Sequence, residues 1–358
     1  MVKRLDAVAG ELSKRGLAYL VVSNISNVRY LSGFSGSTAW LLAGRDGATL
    51  VTDFRYKEQA EGEVFKGVEI KIDTKDALTV MCNMAPELKG KVGFEAGSLT
   101  YAAYEKLRRA AGGLTPVEGL VEELRKTKDD NEIVSISKAA AIADSVFGEI
   151  VGELKVGLSE VDVAARIDFM LRKKSSEVPA FRTIVASGPH ASLPHATPTA
   201  RIIRGGDLVK MDYGAIWDGY CSDITRTVVM GKATDKVKEV YDIVKEAQTR
   251  SIEGIHPGAL CLEIDRIARD HIESKGYGEN FGHGLGHGVG LEVHEGPRLS
   301  KTASKPDETL QVGNVVTVEP GIYIPGWGGI RIEDMVVVRQ DGCEVLTSAD
   351  RDLIEVGS

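Results

Sequence analysis

The sequence predicts an α+β chain of two domains: a smaller α/β domain over residues 1–125, and over 126–358 a domain built on a curved antiparallel sheet with helices on its outer face. Three observations carry that prediction. The chain has 358 residues, and compact domains run to roughly 100–200 residues each. A polar run, RKTKDDNE at 125–132, divides two regions of different pattern. After that run, the order helix, helix, hairpin occurs twice.

In the first region the opening stretch MVKRLDAVAGELSKRG reads as an amphipathic helix, with Leu5, Val8 and Leu12 on one face. AYLVV (18–22), TAWLLA (38–43) and ATLVTD (48–53) read as strands. Asp46-Gly47 marks a hairpin turn between the last two. VEIKI (68–72) and KVGFE (91–95) are further short strands, and 101–111 is helical. Together they predict a mixed sheet flanked by helices.

The dividing run also starts a helix, because Asp129 to Glu132 place acid at a helix N-terminus. Ile133, Ile136, Ala140, Phe147 and Ile150 then recur at helical spacing. One half of the second domain is a long helix (130–154), a second helix (159–174) and a hairpin around 207–230. The other half is a long helix (235–254), a second helix (260–275) and a hairpin around 314–339. The order of elements carries the repeat; residue identity between the halves is weak.

Composition narrows the function. An apolar share of 43% supplies real cores, and a net charge of −8 argues against nucleic acid and anionic membrane surfaces as partners. No apolar run approaches the ~20 residues that span a bilayer. The charged N-terminus lacks the apolar stretch of a secretory signal, and Cys82, Cys221, Cys261 and Cys343 show no paired spacing. The expectation is a cytoplasmic protein with reduced thiols.

The chemistry concentrates in three segments. In LVKMDYGAIWDGYCSDITRTVVMG (208–231), Asp212 and Asp223 lie at nearly equal distance from the turn Trp217-Asp218-Gly219. A hairpin would set them about opposite each other. In VVTVEPGIYIPGWGGIRIEDMVVV (315–338), Glu319 and Glu333 flank a second turn in the same way. The surrounding strands are strongly apolar, and buried carboxylates need partners. FGHGLGHGVGLEVHEGPR (281–298) adds His283, His287 and His294 within Gly-rich backbone that can approach a ligand closely. One histidine with four carboxylates is an oxygen-rich set that favours Mn²⁺ or a similar ion.

At these residues the sequence resembles the proline-specific branch of the metallopeptidase family that includes aminopeptidase P, prolidase and methionine aminopeptidase. HGLGHGVGLEVHE (283–295) carries the likeness most specifically, and the likeness spans the chain. It implies a pita-bread catalytic domain over 126–358, preceded by a creatinase-like N-terminal domain. It implies two divalent metal ions, Mn²⁺ first and Co²⁺ or Zn²⁺ as alternatives. Asp212 would hold one ion and His287 and Glu319 the other, with Asp223 and Glu333 bridging. His294 matches a histidine near the scissile bond, and His283 and His195 match two more in the cleft. Arg298 matches an arginine near the substrate's free carboxylate, Arg331 a further cleft arginine, and Phe181 belongs to the same substrate-binding set.

The implied activity is a metallo-exopeptidase acting on Xaa-Pro bonds, in dipeptides or at peptide N-termini, through a hydroxide held between the ions. Glu319 is the candidate for proton transfer and His294 for stabilising the tetrahedral intermediate. The expected partners are short proline-containing peptides and a second copy of the chain. Trp40 or Phe34 could border the neighbour's cleft in such a homodimer. The alternative reading is a non-catalytic pita-bread protein that binds peptides, which loss of a metal ligand would favour; no ligand position is lost.

Overall fold

The computed structural model describes all residues except 1, 89, 176, 303–305 and 358. The chain divides into two compact units, Met1–Arg125 and Lys126–Ser358.

The first unit holds a six-stranded mixed sheet in the order Val68–Asp73, Ala48–Asp53, Trp40–Gly44, Tyr19–Val22, Val92–Glu95, Thr115–Val117. The central hairpin turns at Asp46-Gly47, where Gly47 has φ 152° and the Gly44 amide donates to the Gly47 carbonyl. The predicted strand 38–43 is displaced to Trp40–Gly44. Helix Val2–Lys14 buries Val8 and Leu12, as the amphipathic pattern requires. Short helices at Ile25–Ser32, Lys57–Glu63 and Ala77–Met84 complete the unit together with Tyr101–Ala111 and Leu120–Arg125. Phe34 is fully buried and meets Tyr56 edge-on at 5.7 Å between ring centroids, so it is a core aromatic here and does not reach outward. Trp40 is half-buried and packs against the core of the same unit.

The second unit begins with Asp130–Glu153, a helix of 24 residues. It starts with a capping box: the Asp129 side chain accepts from the Glu132 amide, and the Glu132 side chain accepts from the Asp129 amide. Helix Glu160–Ser175 follows, and the pair Asp235–Glu253 and Cys261–Ser274 repeats the arrangement. One sheet runs Glu355–Val356, Ile224–Met230, Leu208–Tyr213, Ile184–Ser187. The other runs Glu295–Leu299, Gly286–Gly288, Val315–Val318, Asp334–Arg339, Gly342–Val345. Each helix pair packs its apolar stripe on one sheet, giving one core around Val163, Ile167, Val209 and Met211 and another around Val240, Val244, Ile264 and Val336. The α+β class is as the sequence predicts.

The two sheets meet along a seam. Thr225 Oγ1 donates to Glu333 Oε2 at 2.6 Å, and the Glu333 amide donates to the Thr225 carbonyl. Buried Arg226 donates to the Glu333 carbonyl and, at 2.7 Å, to Asp334.

Both hairpins carry a break in their ladders next to the acids. In the first, the pairing stops after Tyr213↔Ile224 and resumes at Ile216↔Cys221. Its turn uses Asp218 at φ 49° and Gly219 at φ 73°, the positive-φ pair that a two-residue hairpin turn demands. Asp212 pairs with Thr225, so it does not face Asp223 as the turn-centred reading expects. Asp223 is its diagonal neighbour, on the same face, because the turn is centred on 218–219 and the two acids are unequally distant from it. In the second hairpin, Val318↔Asp334 and Gly321↔Arg331 bracket Glu319 and Glu333, which therefore do stand opposite each other.

Candidate metal centre

Strand ends deliver the five candidate ligands to the seam. Asp212 lies on Leu208–Tyr213, Asp223 just before Ile224–Met230, and His287 on Gly286–Gly288. Glu319 and Glu333 occupy the gap in their hairpin, where the main chain has left regular pairing and the side chains can turn inward. Close backbone contact fixes His287: a Cβ on Gly286 would lie 2.0 Å from the Thr317 carbonyl oxygen, and one on Gly288 would lie 2.1 Å from the Gly296 carbonyl oxygen.

One ligand-capable atom from each of Asp223, His287 and Glu333 falls within 4.8 Å of the others, and all three residues are buried. His287 Nε2 is 3.7 Å from Asp223 Oδ2 and 3.4 Å from Glu319 Oε1. Its Nδ1 lies 3.0 Å from the Gly288 carbonyl, which can only accept, so Nδ1 carries the proton and the Nε2 lone pair faces the carboxylates. Asp212 is turned toward Arg331, whose Nη2 donates to it. Arg331 Nε is also 3.8 Å from Glu319.

The electrostatics of this cluster are those of crowded acids. Burial and then the neighbouring Glu333, Asp212 and Glu319 charges push Asp223 well above the carboxylate range; Arg331 opposes them. Burial, then Glu319 and Asp212, do the same to Glu333. Burial lifts Glu319 to about 7 against the pull of Arg331. Burial and the adjacent His294 depress His287 to about 3, so its ring is neutral at ordinary pH. Asp223 Oδ1 and Glu333 Oε1 are buried with no hydrogen-bond partner among the described residues. Neutral imidazole nitrogen, carboxylate oxygens and orphaned lone pairs aimed inward are what a hard or borderline divalent cation takes as donors, so the residues present fit a metal.

The remaining candidates surround this cluster. A cavity of about 300 Å³ is lined by His195, His283, His287, His294, Arg298, Glu319 and Arg331. A smaller one of about 70 Å³, sharing several of these, adds Phe181, Asp212, Asp223 and Glu333. Each site residue singled out in the sequence therefore lines at least one of the two. The His287 and His294 ring centroids are 4.2 Å apart. His294 is depressed by burial and then by Arg298. His283 Nδ1 is 2.7 Å from the Gly284 carbonyl and Nε2 is 2.9 Å from the Tyr323 hydroxyl, which accepts from Arg331 Nη1 at 2.9 Å. Both ring nitrogens of His283 are thus engaged within the chain.

Sequence reasoning missed several contributors. Tyr323 orders both His283 and Arg331, and Thr225 links Glu333 to Arg331 Nε at 2.9 Å. Lys210 is fully buried two residues before Asp212. A lysine inside the apolar run LVKMDY was the available signal.

The family model for metallopeptidase family M24 matches residues 134–340, and that for the creatinase/prolidase N-terminal domain matches residues 4–127. A solved Xaa-Pro dipeptidase from Bacillus anthracis is similar at 41% identity and TM-score 0.95, with 99% of each chain covered. A solved X-Pro aminopeptidase from Thermotoga maritima is similar at 38% identity and TM-score 0.87, covering 95% of this chain and 97% of that one. The Xaa-Pro dipeptidase of Pyrococcus horikoshii is 38% identical over 360 residues, 99% of both chains.

Proposed function

This chain belongs to metallopeptidase family M24, and from that premise we propose that it is a metal-dependent exopeptidase cleaving Xaa-Pro bonds in dipeptides or at the N-terminus of short peptides. The observation that carries the reading is the buried convergence of acids on His287 Nε2, with two carboxylate oxygens that find no partner among the described residues, on the wall of a histidine- and arginine-lined cleft.

In this reading Asp212, Asp223, His287, Glu319 and Glu333 hold two divalent ions, with Mn²⁺ the best match to the donor set. When bound, such ions polarise the scissile carbonyl and lower the pKa of water toward neutrality. The chain's own residues do the rest. Gly288 fixes the His287 tautomer so that a lone pair is always presented. Glu319, at the edge of the cleft and 3.4 Å from His287 Nε2, takes the proton of the attacking water and returns it to the departing proline nitrogen. His294, at the cleft wall beside His287, donates to the oxygen that becomes negative in the tetrahedral intermediate. His283 buttresses Tyr323 and Arg331, while His195 and Phe181 face the peptide.

The bond before proline is a tertiary amide without an N–H. A site that asks for no hydrogen bond from that nitrogen accepts it. Arg298 on the cleft wall supports a dipeptide, whose free carboxylate it can pair with. We further propose a cytoplasmic homodimer; the four cysteines are free thiols, and no described helix is long and apolar enough to cross a membrane.

The test is alanine release from Ala-Pro and from Ala-Pro-Ala, with Mn²⁺ and then with chelator. Chelator-sensitive release from the dipeptide alone makes the chain a dipeptidase, and release mainly from the tripeptide makes it an aminopeptidase. Release from neither sinks the proposal.

A further inference from the structure

Lys210 has no solvent-exposed surface, although it sits in a strand, Leu208–Tyr213, that is otherwise built to be buried. It leaves the same face of that strand as Asp212, while Val209, Met211 and Tyr213 enter the helix-covered core on the other side. A buried amino group is costly unless its donors are used. Three main-chain carbonyls lie within hydrogen-bond reach of Nζ: Leu193 at 2.6 Å, and Ala191 and Pro194 at 3.3 Å each. Nζ is also 4.9 Å from the centroid of the Tyr323 ring.

All three carbonyls belong to one short stretch of main chain, and the next residue is His195. Arg331 Nη1 donates to the Pro194 carbonyl as well, at 3.2 Å. The two ends of the same loop are tied to buried Glu160, which accepts from the Ser187 amide at 2.7 Å and the Thr199 amide at 3.0 Å. His195 itself is exposed and lines both cavities. The place of an exposed imidazole is set by the main chain that carries it.

We infer that Lys210 is a positioning residue: it grips the carbonyls of 191–194 from beneath the loop and so fixes His195 over the cleft. Its amino group is spent on main-chain oxygens, so it acts through His195 and not on the peptide. This rests on the proposed reading of His195 as a group that faces substrate.

A double-mutant cycle on the Mn²⁺-loaded full chain tests it, with Ala-Pro as substrate. Lys210→Met should lower kcat/KM about 10- to 100-fold, mainly through KM, with metal content unchanged. His195→Ala should produce a loss of its own, and adding Lys210→Met to it should produce no further loss. Lys210→Gln keeps two N–H donors and should recover part of the activity. Amide hydrogen exchange over 190–196 should accelerate in Lys210→Met while strand 208–213 keeps its protection. Multiplicative losses in the double variant overturn the inference, because Lys210 then acts independently of His195. If His195→Ala leaves kcat/KM unaltered, the substrate-facing reading of His195 fails first. Unchanged exchange over 190–196 then overturns the grip itself. Should Lys210→Met not fold, Lys210→Gln carries the same cycle and the same exchange measurement.

Discussion

Replacing Glu319 with glutamine should make the chelated protein more stable and the enzyme inactive. The Glu319 carboxyl titrates at about 7 in the folded chain against an ordinary 4.5, chiefly because it is buried. A group whose folded pKa is raised stabilises the protein below its unfolded pKa and loses that contribution as pH rises to the folded one. At about 1.4 kcal/mol per pH unit the full loss is about 3 kcal/mol. Solvent still reaches 16% of the side chain, which brings the expected figure to about 1–3 kcal/mol. Glutamine keeps an oxygen to accept from Thr317 Oγ1, now at 3.4 Å from the carboxylate, and has no charge to bury. In chelator, Glu319→Gln should therefore match the parent chain at pH 4.5 and exceed it increasingly up to about pH 7. Above that the gap should stay constant, at about 3–10 °C in Tm for a domain of this size. With Mn²⁺ the order should reverse, since the cation neutralises the parent's acids and the variant offers one fewer. Thermal melts at pH 5, 6, 7 and 8, with and without Mn²⁺, measure this. A parent chain as stable as the variant at pH 8 in chelator, or a gap that does not change with pH, refutes the reasoning.

Three other outcomes are expected. His294→Ala should lower kcat roughly 10²- to 10³-fold with metal content intact, measured by steady-state kinetics beside elemental analysis; an unchanged kcat removes His294 from the chemistry. Glu333→Ala should lose bound metal together with activity, and a variant that retains both ions in elemental analysis contradicts the bridging role. Gly286→Ala should cost about 1–3 kcal/mol or more in denaturant unfolding, since the new methyl would sit 2.0 Å from the Thr317 carbonyl oxygen; wild-type stability would mean that this strand can move.

The paired order of helices and hairpins in the second unit was legible because each long helix repeats apolar residues at its own period. The hairpin turn was legible because Asp218-Gly219 adopts positive φ at both positions. The acids were legible as isolated charges in strands of valine and isoleucine. Their exact pairing was not. Asp212 pairs with Thr225, and only Glu319 and Glu333 face each other, because register depends on where a turn is centred. The short helices Ile25–Ser32, Lys57–Glu63 and Ala77–Met84 escaped because their few turns give too little periodicity to separate from loop. Tyr323, Thr225 and Lys210 escaped for another reason. Their importance lies in which oxygen they touch, and sequence spacing carries nothing about contacts across a seam.

That seam has a consequence for when the molecule can act. Asp212 and Asp223 come from one helix–helix–hairpin half, His287, Glu319 and Glu333 from the other, and Thr225 bonds to Glu333 across the join. Neither half carries all five of the proposed ligands. A nascent, nicked or partly melted chain in which one half is disordered keeps at most an incomplete cage. Competence for the reaction is thereby tied to finished folding.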